Sequence, residues 1–175
     1  MRIETDINTI EKSAEQREKE NWDFRCFLKG SDLSVERIDS VVNDLNRKVS
    51  AQIDCTEYGN CCKVAQPVLT DTDIEMLADT LKIDTGAFKL EFLTEGEDGL
   101  VFKARPSPFL VENKCTVYES RPKDCRLYPH LHKADFVFRV NQAFSNCSVC
   151  PIVFNVYEGL KQKLRPQKQS IRTKR

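Results

Sequence analysis

The sequence lacks an excess of charge of either sign and lacks any long apolar run. Its 27 Lys and Arg residues balance 27 Asp and Glu residues, so no overall field attracts nucleic acid or an anionic membrane. No segment approaches the roughly 20 apolar residues that cross a bilayer, and the charged N-terminus has no signal-peptide pattern. We therefore expect a cytoplasmic protein with neither a membrane nor a nucleic acid as its partner.

Sequence motifs that indicate catalysis are also missing. There is no glycine-rich cofactor loop and no nucleophile elbow, and the CxxC pair near residue 150 lacks the βαβ context of a thioredoxin-like enzyme. The pattern therefore favours a binding module over an enzyme.

The chain is long and apolar enough for one domain with a hydrophobic core, since it has 175 residues of which 40% are hydrophobic. The predicted fold class is α+β: a mainly helical single domain with a small antiparallel β element around a cysteine-ligated metal site. We expect a polar arm with an aromatic anchor at residues 1–30, a metal-binding domain at 31–165 and a basic disordered tail at 166–175.

Four segments combine a helix-start signal with apolar residues at three- and four-residue spacing. The first runs to about Ala51, and the second opens with an approximate capping box. The four helices are predicted to start at Ser34, Thr70, Asp84 and Pro151. Residues 1–20 are polar and predict a loosely docked helix. After a turn at 94–99, residues 100–104 and 136–140 have the character of strands that pair.

Seven of the eight cysteines fall in three groups between residues 55 and 150. Clustered thiolates repel one another unless a cation neutralises them, so such groups in a reducing compartment favour a metal. The predicted ligands are Cys55, Cys61, Cys62, Cys115, Cys125, Cys147 and Cys150. The eighth, Cys26, lies in an aromatic cluster and is predicted to be a buried structural thiol.

The cysteine pattern leaves alternatives open. Any single cysteine can instead be a small buried side chain, and the adjacent Cys61 and Cys62 rarely face one ion together. A zinc ion and an iron–sulfur cluster both accept four thiolates, and ferredoxin spacings are absent, so either is the expected cofactor. His130 is a further candidate ligand, with a surface histidine as the alternative.

Together the motifs resemble the cysteine-cluster proteins of the YkgJ type, a zinc- or iron-chelating domain. The matching pieces are CxxYGNCC at 55–62, PFL at 108–110, CTVYE at 115–119, RPxxCRxYP at 121–129 and CxxCP at 147–151. The family usually has cysteine at the positions of Tyr58 and Ser107, so the resemblance implies a site with fewer thiols.

Two arginines lie among these motifs. Arg121 and Arg126 are predicted to contact the cofactor, because an arginine beside thiolates offsets their charge and hydrogen-bonds sulfur. Surface salt bridging is the alternative, and Glu119 is expected to orient Arg126.

Three functions follow from these predictions. The first is a metal-binding protein, acting in electron transfer or as an accessory to an enzyme, with a protein or redox partner. The second is a structural zinc module for protein or nucleic-acid interaction. The third is a metal-dependent oxidoreductase or a methylase-associated enzyme, because a similar cluster occurs in flagellin lysine methylases.

Overall fold

The computed structural model describes residues 2–165, which form nine α-helices, two 3-10 helices and four short strands. The α-helices are α1 (Ile7–Gln16), α2 (Glu18–Gly30), α3 (Val35–Ser50), α4 (Asn60–Val64), α5 (Asp71–Leu81), α6 (Thr85–Phe92), α7 (Lys123–Leu127), α8 (Phe136–Asn146) and α9 (Pro151–Leu164). The 3-10 helices are η1 (Cys55–Glu57) and η2 (Tyr118–Ser120), and the strands are β1 (Leu93–Gly96), β2 (Gly99–Phe102), β3 (Leu110–Val111) and β4 (Lys114–Cys115). A mostly helical chain with two small antiparallel sheets confirms the predicted α+β class.

Residues 2–53 and 131–165 form one of two compact units, which we call the terminal unit. In it, α3 packs against α8 and α9, and α1 and α2 pack alongside. The start of α3 is the predicted one, because Ser34 Oγ accepts a hydrogen bond from the Arg37 N–H at 3.2 Å. Pro151 occupies the first position of α9, also as predicted.

The predicted strand at 136–140 is wrong, because these residues begin α8. The Asp39 carboxylate of α3 accepts hydrogen bonds from the N–H groups of Asp135 and Phe136 at 2.8 and 2.9 Å. Phe136 and Val140, four residues apart, are both buried. A cap supplied by another helix, together with this helical spacing, favours α8 over a strand.

The N-terminal helix packs more firmly than the predicted loosely docked arm. Ile10 is fully buried, and the Asn155 side chain bonds both backbone groups of Glu4, at 2.9 and 2.7 Å. The predicted burial of Cys26 is wrong, since this thiol is exposed. Phe24 and Leu28 point into the core from α2, and a residue midway between them on a helix points the opposite way.

Residues 54–130 form the second compact unit, which we call the central unit. Its core joins residues of α5, α6 and the first hairpin to one residue before α5 and two residues from the later loops. The buried members are Leu69, Ile74, Leu77, Ala78, Phe88, Leu93, Phe102, Phe109 and Val117. The predicted caps of α5 and α6 are present, with Thr70 and Asp73 forming a full capping box and Asp84 accepting from two N–H groups.

The central unit contains two antiparallel hairpins. Strand β2 pairs with β1, in the register Leu93 to Phe102, and not with residues 136–140 as predicted. Strand β3 pairs with β4, so that Leu110 lies opposite Cys115. The turn of this second hairpin has positive φ at both Glu112 and Asn113, which matches the right-handed twist of paired strands.

Among the described residues, none of the helices has the length and apolar character needed to cross a lipid bilayer. The predicted basic tail at 166–175 lies outside the described residues. The predicted division into an arm, a metal-binding domain and a tail stays a prediction.

Candidate metal centre

Five of the predicted ligands lie in the central unit, each on a short element. Cys55 begins η1, Cys61 and Cys62 lie in α4, Cys115 ends β4 and Cys125 lies in α7. None of these five described cysteines forms a disulfide, and Cys55 is the exposed one among them. The central unit thus gathers two of the three cysteine groups, whose members are far apart in sequence.

A close backbone approach at Gly59 brings the first cysteine group against the second hairpin. Gly59 has φ +57°, and a Cβ atom there would overlap the carbonyl oxygen of Asn113 and lie 3.0 Å from Leu110 Cδ1. Only glycine accepts both this conformation and this contact without strain. Ser107 N–H also donates to the Cys62 carbonyl at 2.7 Å. These contacts join the 55–62 segment to the second hairpin, which ends at Cys115, and to the loop before it.

The thiols of the central unit are close enough for their charges to interact. A contact between the sulfur atoms of Cys61 and Cys62 at 4.0 Å, together with burial, raises the pKa of Cys62. Burial raises the pKa of Cys125 to about 12, with further contributions from Cys62 and Cys115. Burial and the charge of Cys62 likewise raise the pKa of Cys115, despite a hydrogen bond from Val117 N–H. These raised pKa values favour the protonated thiols, because burial and the neighbouring sulfur atoms destabilise the thiolates.

Arg121 is a cation whose charge acts on these thiols. Its charge opposes the increase in pKa at four of them, namely Cys55, Cys62, Cys115 and Cys125. The guanidinium stacks on the Tyr118 ring at 3.5 Å and donates to the Tyr118 carbonyl at 3.0 Å. The predicted place of Arg121 beside the thiols therefore agrees with the electrostatics of the central unit, whereas its contact with a cofactor stays a prediction.

Arg126 is held by Asp73, a carboxylate far from it in the sequence and outside the cysteine motifs. Its Nη1 donates to the Arg121 carbonyl at 2.5 Å, and its Nη2 lies 3.8 Å from Asp73 Oδ1. Within the described residues, Asp73 and not Glu119 forms the ion pair with Arg126. In the sequence, the capping-box pattern of Thr70 and Asp73 predicts the start of a helix. It does not indicate that Asp73 also contacts Arg126.

Cys147 and Cys150 lie in the terminal unit, and both are buried. Cys147 Sγ donates to the Ala143 carbonyl at 3.3 Å, and burial raises the pKa of this thiol. Cys150 is the residue before α9, and its carbonyl accepts the Phe154 N–H. Their predicted role as ligands stays a prediction.

The remaining candidate residues are His130 and the two positions, Tyr58 and Ser107, at which the family usually has cysteine. His130 is buried, and its Nε2 lies 3.2 Å from Asp124 Oδ1, next to Cys125 in the sequence. Tyr58 and Ser107 are half-buried. Ser107 lies beside Cys62 through the backbone hydrogen bond described above.

The fit of a metal to these residues rests on the chemistry of the donors. In residues 2–165, no group of three or more His, Cys, Asp or Glu side chains is arranged so as to hold a metal ion. The central unit nevertheless supplies thiols that interact electrostatically. Zinc ions and iron–sulfur clusters are commonly bound by four cysteine thiolates. The donor set therefore fits zinc or iron.

Comparison with known proteins agrees with this donor set. No curated protein and no solved structure matches the chain. A family model does match residues 54–151, which is more than half of the sequence, and the match includes all seven predicted ligands. The chain therefore belongs to the CxxCxxCC family, described as a "putative zinc- or iron-chelating domain".

Proposed function

We propose that this protein binds zinc or iron through the thiolates of the central unit. The observation that carries the proposal is the interaction of Cys62, Cys115 and Cys125 with one another, beside the guanidinium of Arg121. Thiolates in such proximity repel, and a bound cation removes the repulsion and the need for protonation. Membership of a metal-chelating family supports the same conclusion.

The residues proposed to hold the metal are Cys55, Cys62, Cys115 and Cys125. Cys61 is the alternative to Cys62, because the two adjacent thiols rarely serve one ion. Arg121 then offsets the net negative charge that four thiolates leave around a divalent ion. A zinc ion here would stabilise the fold, whereas an iron–sulfur cluster would add one-electron transfer.

A reducing compartment suits this proposal, because free thiolates and not disulfides bind the metal. We therefore propose a cytoplasmic location. If the metal is an iron–sulfur cluster, the protein partner is a redox protein that exchanges electrons with it. If the metal is zinc, the partner is a protein that recognises the metal-stabilised surface.

Anaerobic purification followed by metal and acid-labile sulfide analysis tests the proposal. The full chain should retain about one equivalent of zinc, or iron with sulfide and the brown colour of a cluster. Cys125→Ser should lower the bound metal and the stability together. Cys26→Ser is the matched control, since Cys26 is exposed on α2, and it should leave the metal content unchanged. A folded wild-type protein without metal, or equal losses in both variants, would refute the proposal.

A further inference from the structure

Asp73 is a buried carboxylate with more partners than a helix cap requires. It is 2% exposed. Its Oδ2 accepts hydrogen bonds from the Thr70 N–H and hydroxyl at 3.0 and 2.7 Å, which completes the capping box of α5. Its Oδ1 is directed elsewhere, and accepts the Lys123 N–H at 2.8 Å. One oxygen therefore serves its own helix and the other serves a segment 50 residues away.

The segment that Asp73 holds is the RPxxCR motif. Lys123 is the first residue of α7, which carries Cys125 two residues later. Arg126, at the other end of the motif, is 3.8 Å from the same Oδ1 and bonds back to the Arg121 carbonyl. Asp73 thus contacts the motif at two points, with Cys125 between them and Arg121 joined through Arg126.

A second contact fixes the same segment to the same helix. Thr80, near the C-terminal end of α5, shares a 2.7 Å hydrogen bond with the hydroxyl of Ser120, the residue before Arg121. Helix α5 therefore holds residues 120–126 at both ends. An isolated five-residue helix such as α7 has little stability of its own, so its position depends on such contacts.

We propose that Asp73 is a positioning residue for the metal centre, which holds Cys125 and Arg121 in the orientation that metal binding requires. The effect of Asp73 on metal binding rests on the proposed function. Its contacts with Lys123 and Arg126 do not depend on that proposal. Removal of the carboxylate charge should release the first turn of α7 and weaken metal binding. A residue that only capped α5 would change stability without changing the site.

The test compares Asp73→Asn with Thr70→Ala, its matched control. Both variants damage the capping box, but Thr70→Ala leaves Asp73 free to accept from Lys123 and to pair with Arg126. Asp73→Asn should weaken Co²⁺ binding about 10- to 100-fold relative to Thr70→Ala. It should also alter the ligand-field absorption of the Co²⁺ protein. Equal affinity and equal spectra in the two variants would overturn the proposal.

A metal-independent measurement separates this inference from the proposed function. In the metal-free protein, Asp73→Asn should speed hydrogen exchange of the Lys123 amide at least tenfold relative to Thr70→Ala. If the wild-type protein binds no Co²⁺ but this difference is seen, the proposed function fails and the positioning of α7 by Asp73 stands. Unchanged Lys123 exchange would refute the positioning role itself.

A second variant keeps the test available if Asp73→Asn does not fold. Lys123→Pro removes the N–H that Asp73 accepts, while proline is well tolerated at the first position of a helix. It should reproduce the loss of Co²⁺ affinity and the altered spectrum. Wild-type affinity in Lys123→Pro would contradict the proposal.

Discussion

Substitution of Gly59 by alanine tests how the central unit brings its thiols together. Gly59 has φ +57°, a conformation that costs an L-residue about 1–2 kcal/mol. The new methyl group would also overlap the Asn113 carbonyl, a backbone atom that cannot rotate away as a side chain can. Overpacking of this kind typically costs about 1–3 kcal/mol. We therefore expect Gly59→Ala to lower the free energy of unfolding by about 2–5 kcal/mol.

Urea denaturation of the metal-free protein, followed by circular dichroism, measures this loss. Gly59→Asn separates the two causes, because asparagine tolerates positive φ but carries the same Cβ atom. If the overlap dominates, Gly59→Asn should be nearly as unstable as Gly59→Ala. Gly30→Ala is the control, since no atom lies within 4 Å of a Cβ at that position, and it should be neutral or stabilising.

The bound metal of the Gly59→Ala protein gives a second measurement, independent of its free energy of unfolding. Because the contact at Gly59 holds the 55–62 segment against the turn before Cys115, Gly59→Ala should also reduce bound metal. A Gly59→Ala protein within about 0.5 kcal/mol of the wild type, a range typical of neutral surface changes, would refute the reasoning. So would full recovery of stability in Gly59→Asn.

Three further predictions concern the thiols. Arg121→Gln should slow alkylation of Cys55, Cys62, Cys115 and Cys125 by iodoacetamide at pH 8 in the metal-free protein, because the charge of Arg121 opposes the increase in their pKa; unchanged rates at these four residues, measured by mass spectrometry of peptides, would contradict this. The metal-free protein should lose stability as the pH rises from 9 towards 12, since the raised pKa of Cys125 favours the folded state only while the thiol is protonated. Cys125→Ser should reduce that slope in urea titrations. Cys147→Ser should lower the free energy of unfolding but leave bound metal unchanged, because Cys147 is buried and donates to the Ala143 carbonyl; a loss of bound metal would contradict the proposed ligand set.

Several helices were predictable from the sequence because their signals are local. The Ser34 cap, the Thr70 and Asp73 box and the first-turn proline at Pro151 each act within four residues of the helix start. Such features appear in a short window of sequence, and the structure contains them as expected.

Other features depended on partners that lie far away in sequence. Residues 136–140 resemble a strand over five residues, but the cap from Asp39 and the buried spacing that continues to Ala143 make them helical. The burial of Cys26 was wrongly predicted because apolar neighbours in sequence do not share a helix face at a spacing of two.

The candidate donors of the metal centre were visible in the sequence alone, because thiol chemistry and cysteine grouping are properties of residue types and their spacing. The fold of the central unit was needed to show that the charge of Arg121 acts on four thiols and that, among the described residues, Asp73 and not Glu119 pairs with Arg126. The hydrogen bond from Lys123 to Asp73 spans 50 residues. A local pattern cannot select such a partner, since the energy of the contact exists only once α5 and α7 have packed within the central unit.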